Sequence, residues 1–413
     1  MKLLWLTNIE LPLISRHLGR NAEIYGGWLE ETANQLLLDQ QTQLLVLYPS
    51  DQIQKGNIGN LNYCSFHEGD NEAFFYDTLV DFDPDVIHIW GTEFPHTLQL
   101  VEASIRSSHI QHAVISIQGL VSIYARHYTL GLPERVVTHK TFHEIVRGNP
   151  ICAGQRDFER RGDNEIKAIR KVSYVIGRTD FDYAVTRMYH PDITYFHCNE
   201  TLRPQFYDHT WSMEAAEKHS IFISQCSYPV KGFHFAVKAL SILKRRYPDV
   251  HLYTTGPSIL EKSRDFLRRS SYHQYIAKLM TDNDLSDHIT FLGFLDAGSM
   301  VKQYLRANVV VSPSTIENSS NSIGEAMLLG CPVVSSDVGG IKTLLKHEEE
   351  GLLYQADAEY MLAHSVERLF EDPVLASQLG AAAQKRALVT HDKEINFHRL
   401  TEIYSFIGRN ACG

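Results

Sequence analysis

Two carboxylates and one lysine have the chemistry to grip a charged, hydroxylated ligand. Glu317 and Glu325 flank the small polar run Ser319, Ser320, Asn321 and Ser322. The segment from Val311 to Pro332 reads as strand, loop, short helix, glycine stop at Gly330, and a proline before the next strand. Ser322 is the expected helix N-cap. The free backbone N–H groups of such a helix start, aided by the helix dipole, suit a pyrophosphate. Glu317 in the loop and Glu325 one turn into the helix would then face one ligand from two directions. A second reading competes: Ser322 and Glu325 also have the spacing of a capping box, which serves the helix alone. Lys231 and Gly232 follow a strand, where a lysine would meet a ligand, although most lysines are solvated.

The elements that must position these groups follow from the apolar pattern. Leu3–Leu6, Leu44–Leu47, Val86–Ile89, Val114–Ile117 and Val175–Ile176 are apolar on consecutive positions, as strands covered on both faces require. Helical patterns such as Trp28–Leu38 and Ile166–Val172 lie between them. The pattern restarts with Ile221–Ile223, a helix from Phe233 to about Arg246, and strands at Val250–Tyr253, Ile289–Leu292, Val309–Val311 and Val333–Val334. Three helices are expected from Asp357 to Ile407. This is an α/β chain with two Rossmann-like, doubly wound domains facing across a cleft. The expected division is 1–205, an N-terminal Rossmann-like domain; 206–395, a C-terminal Rossmann-like domain; and 396–413, a helix returning to the first domain. Ligands of such sheets bind outside the carboxyl ends of the strands, so function belongs to the β→α loops.

Bulk properties narrow the classes. A length of 413 residues exceeds one ordinary core. A net charge of −10 argues against nucleic acid as a partner. The six cysteines form no CxxC pair, which suits reduced thiols and neither a disulfide framework nor a zinc site. The start Met1–Asn8 is too short an apolar run for a signal peptide, and no stretch approaches the roughly 20 residues of a spanning helix. The expected location is cytoplasmic.

Around Glu317 and Glu325 the ordered set becomes specific. Lys231-Gly232, Gly256-Pro257, Phe291-Leu292-Gly293, Pro313-Ser314, Gly330-Cys331-Pro332-Val333, Val338-Gly339-Gly340 and Gly351-Leu352-Leu353 follow in order. Together they resemble the retaining GT-B glycosyltransferases of family four, also called glycosyl transferases group 1. The resemblance implies that Glu317 bonds donor-sugar hydroxyls and that Glu325 accepts both ribose hydroxyls. It further implies that Lys231 faces the departing diphosphate and that the N–H groups of Ser320, Asn321 and Ser322 hold the distal phosphate. No cofactor and no metal is implied.

The first domain resembles the family more loosely. Gly26-Gly27, between the first strand and its helix, lets backbone amides approach a phosphate or sugar, or makes a plain tight turn. Gln118-Gly119 stands where many relatives carry a His-Asp pair; glutamine can bond a hydroxyl but cannot act as a base. Gln225 occupies the place of a family arginine, with Arg178 or Arg203 as substitutes. Arg178 reads equally as a ligand contact and as an interdomain ion pair. Tyr124, His127 and Tyr128 form an aromatic cluster on the acceptor side.

Other features have plainer readings. The triplets Asp81-Phe82-Asp83 and Asp180-Phe181-Asp182 read as strand-entry and helix-cap residues, not as metal sites. Asp296 falls in the loop expected to meet the base, which tilts toward guanine, with uracil equally open. The basic run Arg147, Arg156, Arg160, Arg161, Lys167, Arg170 and Lys171 is diluted by acids and reads as a solvated helix, with a membrane-surface contact as the alternative.

The expected function is retaining transfer of a hexose from a UDP- or GDP-sugar to a glycan or lipid-linked glycan hydroxyl in polysaccharide or lipopolysaccharide synthesis. A nucleotide-sugar epimerase and an idle sugar-nucleotide-binding subunit are the alternatives.

Overall fold

The computed structural model describes residues 1–20, 27–139, 141, 144, 150–256 and 270–411. They form two compact units, each with its own sheet.

Unit 1 comprises Met1–Ser122, Glu159–Arg203 and Thr390–Gly413. Its strands are β1 (Lys2–Leu6), β2 (Gln43–Pro49), β3 (Lys55–Ile58), β4 (Leu61–Phe66), β5 (Val86–Trp90), β6 (Ala113–Ser116), β7 (Tyr174–Gly177) and β8 (Thr194–His197). They lie in the order β3-β4-β2-β1-β5-β6-β7-β8, parallel except for the antiparallel pair β3–β4. The consecutive apolar residues of β1, β2, β5 and β6 are buried on both faces. Trp5, at the centre of this core, donates from Nε1 to Tyr404 Oη on the helix Lys393–Ala411, 3.1 Å away. His88 joins the same group, with Nδ1 2.6 Å from Tyr404 Oη and Nε2 2.6 Å from Ser116 Oγ. Burial holds His88 well below its ordinary value, so it is a neutral hydrogen-bonding core residue.

Unit 2 comprises Ile123–Phe158 and Pro204–Val389. Its strands are β9 (Glu217–Ile223), β10 (His251–Thr254), β11 (Ile289–Phe291), β12 (Ala307–Ser312), β13 (Val333–Ser336) and β14 (Leu352–Tyr354). All pairs are parallel, in the order β11-β10-β9-β12-β13-β14. Each strand of the central set is followed by a helix, so the ends carrying Lys231, Glu317 and Asp337 share one edge of the sheet.

The observed division passes between Arg203 and Pro204, two residues from the expected boundary. The sequence division does not separate Ile123–Phe158, yet this segment packs with unit 2. His234 Nε2 lies 2.9 Å from the Leu130 carbonyl, and Glu144 accepts from Ser271 N at 2.8 Å. Thr390–Gly413 lies with unit 1, anchored by Tyr404. Three helices fill the expected C-terminal region: Glu359–Glu371, Pro373–Thr390 and Lys393–Ala411.

Candidate functional site

The carboxyl ends of β9 and β12 bring Lys231 and Glu317 together. After β9 the chain makes a short 3-10 turn, Pro229–Lys231, and then Gly232 takes a left-handed conformation, φ 65°, to start the helix Phe233–Leu243. A side chain at Gly232 would overlap the Pro313 carbonyl oxygen, so glycine lets the two loops close. Thr315 N donates to the Val230 carbonyl at 2.8 Å, fixing their register. Lys231 Nζ then donates to Glu317 Oε2 at 2.8 Å, and Ser314 Oγ donates to the same oxygen at 3.2 Å. Burial opposes the charge on Lys231, but the Glu317 carboxylate and the Tyr228 phenol outweigh it and hold the ammonium above its ordinary value. Lys231 is therefore a fixed cation.

Glu317 is held from its other side by Val338–Gly340. Gly340 N donates to the Glu317 carbonyl at 3.0 Å, and Gly339 sits at φ 52°, where a β-carbon would overlap that same oxygen. Asn318 N donates to Tyr124 Oη at 2.9 Å, so one member of the aromatic cluster supports this loop.

The helix begins two residues earlier than expected. It spans Asn321–Leu328 with Ser320 as N-cap, and Gly324 N bonds the Ser320 carbonyl at 3.0 Å. Ser322 therefore lies inside the first turn. A capping box from Ser322 to Glu325 does not form there, because Ser322 already has a helical backbone and Ser320 lacks a side-chain cap bond. Glu325 is buried, one turn into the helix. Ser320 Oγ and Ser322 Oγ lie 3.0 Å apart.

Asp296 has a local task. It is the N-cap of the helix Ala297–Arg306 and accepts from Ser299 N at 2.7 Å, a bond that lowers its pKa. The preceding Gly293 adopts φ 71° and pairs with Gly256 across an isolated bridge. Pro257 and Gly26 lie outside the described residues. Gly27 opens the helix Gly27–Leu37, with the stem of Arg203 over it: a β-carbon there would lie 3.3 Å from Arg203 Cγ.

Arg178 and Gln118 meet on a residue that the sequence did not single out. Arg178 Nη1 bonds Glu200 Oε2 at 2.7 Å, while Gln118 Nε2 donates to Glu200 Oε1 at 2.5 Å. Arg178 is thus in an ion pair within unit 1, not between domains, and the pair is buried. Glu200 stands three residues after β8, and this place near a strand's carboxyl end was its only signal. Gln225 is exposed and donates to Ser227 Oγ at 3.2 Å.

Two more acids depart from the sequence reading: Glu165, which the sequence placed among the acids of a solvated helix, and Glu93, which it did not single out. Glu165 is fully buried and accepts from Val121 N and Ser122 N, each at 3.1 Å, and from Thr92 Oγ1 at 2.6 Å. Burial pushes its carboxyl up to about 7 despite these bonds. Glu93, after β5, is raised by burial too and accepts from Asn8 Nδ2 at 3.3 Å. In the remaining expectations, Asp182 completes a capping box with Thr179. Asp83 ends a helix at φ 48°. Cys226 is buried and pushed up to about 11 by desolvation, which suits an inert thiol. Among the described residues no helix is long and apolar enough to cross a membrane.

Comparison with known proteins adds a family match over part of the chain and a fold. Residues 213–386 match the family described as Glycosyl transferases group 1. The D-inositol 3-phosphate glycosyltransferase of Pseudarthrobacter chlorophenolicus is 32% identical over 158 residues, 38% of this chain and 36% of that protein. Its counterpart in an Arthrobacter species is 27% identical over 241 residues, 55% of this chain and 54% of that protein. The chain thus spans about a third to a half of the curated relatives it matches. Among solved structures, sucrose-phosphate synthase from Thermosynechococcus elongatus superposes with a TM-score of 0.72 at 16% identity, covering 98% of this chain and 99% of that one. HepE from Anabaena, solved with UDP and glucose, gives 0.69 at 18% identity, with 98% and 99% covered. These likenesses carry the fold, a GT-B arrangement of two parallel-sheet domains.

Proposed function

We propose that this chain, whose residues 213–386 match the glycosyl transferases group 1 family, transfers a hexose from a UDP-sugar to a glycan hydroxyl with retention of configuration. The observation that carries this reading is the Lys231–Glu317 pair beside the helix start at Ser320–Ser322. A diphosphate placed against that helix start would meet backbone N–H groups and the Lys231 ammonium, which stabilise charge as it grows on the leaving group. Glu317 would accept from donor-sugar hydroxyls, and buried Glu325 from the ribose diol.

In this mechanism the bond from the anomeric carbon to the diphosphate oxygen breaks, and the acceptor oxygen bonds that carbon from the same face. The acceptor proton passes to the departing diphosphate. No protein nucleophile and no metal takes part. Asp296 is occupied in capping its own helix, which weakens the case for guanine. The solved relative carrying UDP supports uracil. Glycan assembly at the cytoplasmic face of a membrane is the proposed setting.

Calorimetry of UDP, GDP, ADP and CDP in EDTA, on the wild type and on Glu325→Ala, tests the donor site. UDP should bind preferentially and Glu325→Ala should weaken it; no binding of any nucleotide overturns the assignment. An inverted anomeric centre in the product would rule out the mechanism.

A further inference from the structure

At the carboxyl ends of β13 and β14 lies a groove of about 700 Å³, bordered by Asp337, Lys342, His347, Gln355, Asp357 and Leu130. That volume falls within the roughly 300–1,000 Å³ of small-molecule sites. Its base is rigid, because Leu353 and Tyr354 belong to β14 and are buried, and Asp337 N donates to the Tyr354 carbonyl at 2.7 Å. Asp337 stands two residues before Gly339, where a β-carbon would overlap the Glu317 carbonyl oxygen.

The chemistry of the rim identifies a ligand class. Lys342 Nζ lies 2.7 Å from Asp337 Oδ2, so this pair offers a donor and an acceptor side by side with little net charge. His347 Nδ1 accepts from Leu353 N at 2.9 Å, which leaves Nε2 as the protonated nitrogen of the neutral ring. Gln355 Nε2 donates to Asp357 Oδ1 at 3.4 Å. Asp357 holds this place in the left-handed region, φ 67°, a conformation that a non-glycine residue adopts at some cost. Planar carboxylates and an amide, alternating with an ammonium and an imidazole N–H, match ligands whose groups are each both donor and acceptor. Vicinal hydroxyls are such groups. Two carboxylates against one ammonium repel a phosphate.

We propose that this groove is a glycan-binding subsite, which holds sugar units of the acceptor adjoining the one that receives the hexose. The acceptor role rests on the transferase reading above; glycan binding does not. The groove supplies hydroxyl contacts along the edge of the sheet, while Lys231 and Glu317 handle the donor.

The test uses the full chain on an array of neutral α- and β-linked gluco-, galacto- and manno-oligosaccharides, with UDP binding measured in parallel. The wild type should bind at least one series. Asp337→Ala with Asp357→Ala should weaken that binding tenfold or more and leave the UDP Kd within twofold of wild type. Lys342→Ala alone should weaken it less. Absence of glycan binding by a wild type that binds UDP overturns the subsite. Glycan binding unaffected by the double substitution also overturns it. A preference for phosphorylated sugars lost with Lys342→Ala would overturn the ligand class. Glycan binding without UDP binding would fail the donor reading and leave the groove standing.

Discussion

Lys231 Nζ lies 2.8 Å from Glu317 Oε2, although β9 and β12 deliver the two residues from positions 86 apart in the chain. Glycines on both sides make the approach feasible, Gly232 against the Pro313 carbonyl and Gly339 against the Glu317 carbonyl. The pair is therefore built by backbone closure before any ligand arrives.

Replacing Lys231 by methionine should lower transfer by about 10²–10³-fold, the usual cost of losing one group aimed at developing charge. Steady-state kinetics with UDP-glucose would measure it. Because Lys231 is held above 10.5, its stabilising contribution is complete below that value and is lost only as pH rises through the higher folded-state value. Activity should thus show no lysine titration from about pH 7 to 10; a fall in that interval which Lys231→Arg removes would contradict the assignment.

The glycines should rank by what surrounds them. Gly293→Ala, at φ 71° with open space around it, should cost about 1–2 kcal/mol for the left-handed backbone alone. Gly232→Ala and Gly339→Ala add a clash with a carbonyl oxygen and should cost more than that. Urea unfolding gives the order, and equal losses at the three positions would refute it.

The sheets were legible where burial is two-sided. Consecutive apolar residues in β1, β2, β5 and β12 announce strands covered on both faces. The pair β3–β4 was missed because β3 alternates between exposed and half-buried residues and β4 between buried and half-buried ones, and β8 because its edge position leaves it only partly buried. Lys231, Glu317 and the glycines around them stood out through their order along the chain. The helix start was misplaced by two residues because Ser320, Asn321 and Ser322 are all good caps, and only backbone hydrogen bonding selects among them. Glu200 was invisible because its partners Arg178 and Gln118 are 22 and 82 residues away.

Glu165 should give stability a pH slope. Its folded-state value near 7 exceeds the ordinary 4.5, so the folded chain holds this proton more tightly. The contribution is complete below about pH 4.5 and is lost as pH rises through about 7. Glu165→Gln should flatten the decline in Tm across that interval; an unchanged slope would assign it to other groups, Glu93 first.

Removing one partner from the buried Arg178–Glu200 pair should be costly, about 3–5 kcal/mol for Glu200→Ala, since the guanidinium is left buried without its carboxylate. Gln118→Ala should cost far less. Chemical denaturation of both variants checks the difference, and a loss of UDP binding in Glu200→Ala with stability unchanged would point instead to a ligand role.

Tyr404→Phe should destabilise unit 1 by about 1–3 kcal/mol, because Trp5 Nε1 and His88 Nδ1 both lose their bond to its hydroxyl. Thermal melting would register it; a shift below 1 °C would mean that water replaces the hydroxyl.

The bond between Trp5 and Tyr404 joins residues 399 apart, and this orders events on the ribosome. The first strand leaves the exit tunnel early, yet the side chain that closes over it is translated almost four hundred codons later. Ile123–Phe158 likewise emerges before the sheet on which it packs. Unit 1 cannot close over Trp5 until Lys393–Ala411 has been made, and unit 2 cannot enclose Ile123–Phe158 until its sheet has been made. Each must wait with apolar surface exposed, the interval in which chaperones bind and aggregation competes. Arrival of the helix Lys393–Ala411, not completion of the sheet, is then the event that closes the core of unit 1.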